Sequence, residues 1–368
     1  MVVQDEDALP PPPPPLCFVH ALMGSELLVN GSLAYVSVKV ATGLGRPHLR
    51  LPITWDGDTQ ASDGQRVCVG GALGRVSLFG LTLLNQYEHF VTYFARTSPR
   101  AAAHFAYDWR RSLPESVEKL IAHLQRVKEE HGRPAQVVSH SMGCLIALAA
   151  LHARPDLFHS ALFAGGNFAG GAGFYPLNTH GRAIGANKTM LGARAVHTWP
   201  SMYQAASPMV EDPLLRGERG ETLFESIDAA AWLERKERVP VPIDWYSISD
   251  WERYGLGPWA HGAVSEQMRA HVLKSLEQGR AFQLALRKAR PPEEYPPVAA
   301  LAGRGFVHPT FFLWDAAAKG WLKWNKALLA QVPPKDLAHT DGTVSFISAS
   351  RPTGVRSRVY EARPSPKA

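Results

Sequence analysis

Apolar positions follow two rhythms along the chain. After Ser112, the residues Val117, Leu120, Ile121, Leu124 and Val127 recur every three or four positions, the spacing that lines one face of a helix. Ser112-Leu113-Pro114-Glu115 has the composition of a capping box with proline in the first turn, and Gly132 stands where a glycine stop belongs. Short apolar runs punctuate this pattern. Leu16-Cys17-Phe18-Val19, Gln136-Val137-Val138 and Ala161-Leu162-Phe163-Ala164 predict buried strands, and Cys144 to Ala153 predicts a second helix. Helix, strand, helix and strand joined by short connections imply right-handed crossovers and a mainly parallel sheet, so the class is α/β. Further strands are expected at Ile243 to Ile248, Val298 to Leu301, Phe311 to Trp314 and Val359-Tyr360-Glu361. A helix from about Ser265 to Arg290 is expected to stop at Pro291-Pro292.

The irregular stretches divide the chain. The proline run Pro10 to Pro15 must be extended polyproline II, so residues 1–15 read as an arm and 16–368 as one domain. Residues 46–75 are rich in Gly, Asp and Pro and read as an excursion over the surface. Residues 172–235 lack strand alternation and carry scattered Trp, Met and Tyr, which reads as a cap inserted over a site.

Composition narrows the class. The chain has 368 residues, 45% of them apolar and ten of them tryptophan, enough to bury a large core. A net charge of +6 spread over that length, with no dense basic cluster on a periodic helix, argues against a nucleic-acid partner; it reads first as a mildly basic soluble enzyme, with a basic face toward anionic lipid surfaces as the alternative. The three cysteines, Cys17, Cys68 and Cys144, form neither a disulfide framework nor a zinc spacing, and no metal or organic cofactor is expected. No apolar run reaches the length of a membrane span, and the start (Met1-Val2-Val3-Gln4, then Asp5, Glu6 and Asp7) is unlike a signal peptide. The expectation is a cytoplasmic protein, with peripheral membrane association open to it.

The sharpest chemical signal is Val137-Val138-Ser139-His140-Ser141-Met142-Gly143. A buried strand runs into a serine and a helix of small residues follows, the context of a nucleophile elbow. Such a turn lifts the Ser141 hydroxyl above the sheet and aims the Met142 amide at a developing oxyanion. The partner acid in the order of this elbow is expected later in the chain. Asp341 in His339-Thr340-Asp341-Gly342-Thr343-Val344 is the candidate, Asp250 is its rival, and an ordinary Asp-Gly turn is the alternative. His140 is expected to pack beneath the turn, facing away from the hydroxyl. Trp199, Met202 and Tyr203 are candidates to line an acyl channel, with plain core packing as the alternative. The glycines Gly165, Gly166, Gly170, Gly171 and Gly173 lack phosphate-loop spacing and read as a flexible edge of the site.

Four segments in order resemble the lecithin:cholesterol acyltransferase family, which includes lysosomal-type phospholipase A2 and phospholipid:diacylglycerol acyltransferases. His20-Ala21-Leu22-Met23-Gly24-Ser25-Glu26-Leu27 is similar to its P-G-x-x-G-S-x-L oxyanion loop, with His20-Ala21 in place of Pro-Gly. Ala106-Tyr107-Asp108-Trp109-Arg110 is similar to its P-Y-D-W-R signature, Ser139 to Leu145 to its elbow, and Asp341-Gly342-Thr343-Val344 to its acid loop. The resemblance implies an α/β-hydrolase fold with helices on both faces of the sheet. It implies Ser141 as acylated nucleophile, Asp341 as acid, and the amides of Leu22 and Met142 as oxyanion hole. It implies a lipid acyl donor and an alcohol acceptor as partners, with Asp108, Trp109 and Arg110 structural. The family's base is a histidine after one more strand. Here no histidine follows His339, so the expected base position is empty. A C-terminus cut short of its base is the first expectation, and a catalytically dead lipid-binding scaffold the second.

Overall fold

Six parallel strands make the central sheet of the computed structural model, which describes residues 13–35, 48–61, 67–78, 81–85, 87–97, 102–169, 174–184, 186–206, 225–318, 320–322, 324–340 and 344–363. The strands are β1 (Leu16–Val19), β2 (Ala102–Phe105), β3 (Ala135–His140), β4 (Phe158–Ala164), β5 (Val298–Gly303) and β6 (Arg358–Ala362). Their order across the sheet is β6-β5-β4-β3-β1-β2, and every neighbouring pair is parallel. β1 and β3 are therefore neighbours although β2, α1 and several smaller elements separate them in sequence. The chain moves outward from β1 to β2 and then returns to the other side of β1. That reversal opens a crevice at the carboxyl ends of β1 and β3, where open α/β sheets bind ligands.

Helices flank the sheet, and this is an α/β-hydrolase fold. α1 (Leu113–His131) buries Leu120, Leu124 and Val127 of the apolar face its spacing predicts, with Val117 and Ile121 partly buried beside them, and stops at Gly132 in the left-handed conformation. Its capping box does not form. The Ser112 hydroxyl accepts from Gln204 Nε2 (3.1 Å), while Glu115 pairs with Arg111 and Lys119. α2 (Met142–Ala153) is apolar all round because it is buried all round, with only Ala149 and Ala153 outside its buried set. Fully burying side chains such as Leu145, Ile146, Leu148 and Leu151 contributes about 1.5–3 kcal/mol each. This anchors the element that carries the elbow.

Further helices include α3 (Pro200–Ala206), α4 (Ile248–Tyr254), α5 (Glu266–Ala285) and α6 (Phe346–Ser350). α5 starts at the Ser265 cap and ends at Ala285, five residues short of the expected Arg290. The strand expected at Ile243 to Ile248 is not formed. Asp244 N–H donates to Asp250 Oδ2 (2.7 Å), Tyr246 N–H donates to Asp244 Oδ1 (2.9 Å), and Ser247 caps α4. These local side-chain bonds replace a strand ladder, so Asp250 has no strand end to stand on and serves the α4 cap. Phe311–Asp315 is a strand, but it lies in a separate three-stranded sheet with Glu225–Asp228 and Gly320–Trp321, over a second small core around Trp232 and Phe311.

Two of the irregular stretches carry more structure than their composition predicts. In residues 46–75, Leu49 and Leu51 are buried, and Val67–Ala72 pairs with Ser25–Val29. In residues 172–235, Gly181–Ile184 and Asn187–Gly192 form a hairpin, and Glu225–Asp228 is a strand. The Asn187 side chain accepts from the amides of Thr189 and Met190 at the start of the second strand of the hairpin. Of the described elements in this stretch, those up to Ala206 pack into the main core, and those from Glu225 onward pack into the second small core. Among the described residues no helix is long and apolar enough to cross a membrane.

Candidate active site

Ser141 sits between β3 and α2 at φ 52° and ψ −121°, one of four non-glycine residues with positive φ among those described. Such a conformation costs about 1–3 kcal/mol and persists only where the surroundings enforce it. Here they do. Ser141 N–H donates to Ala164 O at the end of β4 (3.0 Å), and Ser141 O accepts from Cys144 N–H (2.9 Å). Gly143 completes the constraint, because a Cβ at that position would lie 2.7 Å from Val19 O and would overlap His20 O. The glycine lets α2 start directly against the end of β1. Ser139, in the place where the elbow usually has glycine, is fully buried, its hydroxyl within reach of Leu162 O (3.4 Å). Burial pushes the nearby Cys144 thiol up to about 12, which keeps it protonated.

The loop after β1 lies beside this elbow. Gly24 N–H closes a turn onto Ala21 O (3.0 Å), and Met23 takes φ 60°. A Cβ on Gly24 would lie 2.8 Å from both Ala21 O and the His20 ring. His20 replaces the expected proline and has a defined task. Tyr107 N–H donates to its Nε2 (3.3 Å), so Nδ1 carries the proton and donates to Ala21 O (2.8 Å). Burial lowers its pKa to about 3 and keeps the ring neutral. The Tyr107 ring stacks on it at 4.1 Å and donates its hydroxyl to His20 O (2.8 Å).

The Tyr107-Asp108-Trp109-Arg110 motif thus clamps the loop. Besides the Tyr107 bonds, the Ser25 hydroxyl donates to Tyr107 O (3.1 Å) and Trp109 Nε1 donates to Ser25 O (3.3 Å). Arg110 grips both oxygens of Asp108 (2.8 and 2.7 Å) and donates to Leu49 O. Burial alone would raise the Asp108 carboxyl, but the Arg110 charge and its hydrogen bonds hold it below the usual aspartate value. The loop-clamping role of Tyr107 was not legible from sequence, where the motif is marked only by its resemblance to the P-Y-D-W-R signature.

Within this frame, among the described residues, neither Leu22 N–H nor Met142 N–H has a hydrogen-bond acceptor, whereas the adjacent Ala21 N–H is taken by the Tyr87 hydroxyl (2.9 Å). That same hydroxyl shares a hydrogen bond with His140 Nδ1 (2.8 Å), which ties the residue before the nucleophile position to the loop. All fifteen histidines fall within the described residues, and none hydrogen-bonds the Ser141 hydroxyl. His339 is exposed on Leu337–Thr340, paired with Val307. Asp341, Gly342 and Thr343 lie outside the described residues, as do Gly170, Gly171 and Gly173. The flanks of Asp341 are fixed. Thr340 and Val344 are buried, Val344 packs with Ala302 near the carboxyl end of β5, and the α6 hydroxyl of Ser348 accepts from Ala169 N–H (3.0 Å) just past β4. Both flanks are therefore tied to the sheet edge that carries Ser141.

Trp199, Met202 and Tyr203 are enclosed in the core. Trp199 meets Trp109 edge-on and donates to Leu49 O (2.6 Å), and Tyr203 donates its hydroxyl to His197 O (2.9 Å). Among the described residues no cluster of His, Cys, Asp or Glu could hold a metal ion.

The family model described as lecithin:cholesterol acyltransferase matches residues 85–191. That range includes the Tyr107 motif and the elbow; the His20 loop and the Asp341 loop fall outside it. No curated protein sequence matches the chain. Among solved structures, the Tle4–Tli4 complex is similar at TM-score 0.56 and 13% identity, over 97% of this chain and 92% of that one. The mature form of Bacillus licheniformis lipase BlEst2 aligns at TM-score 0.34 and 11% identity, over 96% and 86% of the two chains. E-2-(acetamidomethylene)succinate hydrolase aligns at TM-score 0.28 and 14% identity, over 96% and 84%. The first likeness bears on the fold; the other two are too distant in shape to carry an argument.

Proposed function

Over residues 85–191 this chain belongs to the lecithin:cholesterol acyltransferase family, and from that premise we propose that it transfers or hydrolyses lipid acyl esters through Ser141. The observation that carries this reading is the Ser141 backbone, held at positive φ beneath a clamped loop, with two unpartnered amides beside it. In the proposed reaction the Ser141 oxygen bonds to the carbonyl carbon of a phospholipid-type ester and its proton passes to a base. The carbonyl oxygen becomes an oxyanion held by Leu22 N–H and Met142 N–H, each such donor contributing about 3 kcal/mol to the transition state. Collapse breaks the ester bond, and the departing alcohol takes up the proton. An acceptor alcohol or water then attacks the acyl-serine and releases the second product. Asp341 is the proposed acid, on the strength of its resemblance to the family's acid loop and of flanks anchored at the Ser141 edge.

One observation favours a second reading, lipid binding without turnover: no imidazole meets the Ser141 hydroxyl. A serine without a base stays a weak, neutral nucleophile. The two readings separate in a phospholipid hydrolysis and transacylation assay with an added long-chain alcohol, run with and without free imidazole. Acyl transfer predicts product formation that rises with imidazole and disappears in Ser141→Ala. Vesicle binding with no product, unchanged in Ser141→Ala, would leave the binding reading standing and overturn the enzymatic one.

A further inference from the structure

A cleft of about 830 Å³ lies away from the elbow, within the roughly 300–1,000 Å³ range of small-molecule sites. None of its lining residues belongs to the elbow or to the His20 loop. Its walls come from the Asn187–Gly192 strand, the short helix Ala193–Val196, the turn Gly257–His261 and the first turn of α5, together with the segment around Arg50. Arg50, Lys188, Arg194, His48, His197 and His261 line it, and no carboxylate does. With the described residues, Arg50, Lys188 and Arg194 make no ion pair. Three uncompensated cations around one concavity set up a positive field that an anion would relieve.

Two features belong to the cleft itself rather than to a merely basic surface. His197 lies in its wall with only 4% of its surface exposed, and its Nε2 has no hydrogen-bond partner. The backbone on either side of that ring is fixed, since His197 N–H donates to Ala193 O and His197 O accepts from Tyr203. The second feature is α5, a helix of twenty residues whose first turn, at Ser265 and Met268, opens on the same space. The positive end of its dipole adds to the cationic field.

We propose that this cleft binds the phosphate-type oxyanion of a ligand. The ligand is either the headgroup of an anionic phospholipid or a soluble organic phosphate, which present the same chemistry to Arg50, Lys188 and Arg194. The site stands independently of the Ser141 chemistry. A headgroup seated here would nonetheless hold the chain against the surface that supplies an ester substrate.

The test compares the full chain with the triple variant Arg50→Gln, Lys188→Gln, Arg194→Gln, three exposed positions at which loss of the charge leaves packing intact. One arm titrates glycerol phosphate in a calorimeter. The other floats the protein with phosphatidylcholine vesicles made with or without phosphatidic acid. Each lost cation is expected to weaken binding about fivefold, so the triple variant loses about a hundredfold. Loss in the glycerol phosphate arm supports the site with a soluble ligand; loss confined to the phosphatidic acid vesicles supports it with a lipid headgroup. A wild-type chain that binds neither probe overturns the proposal. So does a triple variant that binds as well as wild type, or an equal loss in the charge-matched Lys119→Gln, Lys128→Gln, Arg235→Gln chain. Ser141→Ala is expected to leave both arms unchanged, so failure here and failure of the acyl-transfer reading are read separately.

Discussion

Gly143 and Ser141 divide one geometric problem between them. Ser141 accepts a backbone conformation that L side chains rarely adopt, and Gly143 removes the side chain that would keep α2 away from β1. Gly143→Ala is expected to destabilise the fold by about 1–3 kcal/mol, the usual cost of forcing atoms into a packed site. A lowered denaturant midpoint with an unchanged slope checks it. The neighbouring contact at Gly24 is of the same kind, but its obstacle includes the His20 ring. At this scale the turn at Ser141 was readable, because a strand, a serine and a small-residue helix leave few other turns open. The service of His20 was not. Its neutral, doubly bonded ring depends on Tyr107, 87 residues away, and no local pattern encodes that pairing.

Elements matter here through adjacency. β1 and β3 lie side by side with Val19 opposite Ser139, so the loop after one and the turn after the other must share the same crevice. The Tyr107 motif then fixes the loop from below. Tyr107→Phe removes the hydroxyl bond to His20 O and is expected to cost only about 1 kcal/mol of stability. Its larger effect should fall on the rate of Ser141 acylation, since it frees the strand end that carries the Leu22 amide; comparing labelling rates with melting shifts checks this. The buried Asp108–Arg110 pair answers to a different rule. Arg110→Ala strands a buried carboxylate and is expected to cost about 3–5 kcal/mol, part of it recovered when Asp108→Leu is combined with Arg110→Met, as chemical denaturation would register. Periodicity revealed α1, and short apolar runs revealed α2 and five of the six central strands, whereas β2 (Ala102–Phe105) carries no run that marks it. Local pattern misplaced the Ile243 strand and the Ser112 capping box because partners distant in space, or side chains one turn away, claimed the same donors and acceptors. The hairpin at Gly181–Gly192 was hidden because its two strands show no apolar alternation.

Across the whole molecule, burial keeps several histidines neutral. His20 is lowered to about 3, and His104, His197 and His271 to about 4, in each case first through burial. The unfolded chain binds protons at these groups below about pH 6.5 while the folded chain does not. Their contribution is therefore fully present above that pH and is lost as pH falls toward the folded values. Each such histidine contributes a slope of up to about 1.4 kcal/mol per pH unit within that window. Thermal unfolding is thus expected to occur at steadily lower temperature from about pH 6.5 downward, with a weaker dependence in His271→Gln; a melting temperature flat across this window would contradict the assignment. The overall architecture was legible because alternating helical and strand patterns admit few parallel topologies, whereas the second small sheet joins Glu225–Asp228 to Phe311–Asp315 across more than eighty residues and leaves no local trace. The central claim remains that Ser141 is the reacting atom's residue. Incubation of the full chain with a serine-directed alkyl phosphonate in the presence of imidazole, followed by peptide mass mapping, addresses it directly. A single adduct on Ser141, absent from Ser141→Ala, is the expected result; an adduct on another serine with Ser141 unmodified would contradict it.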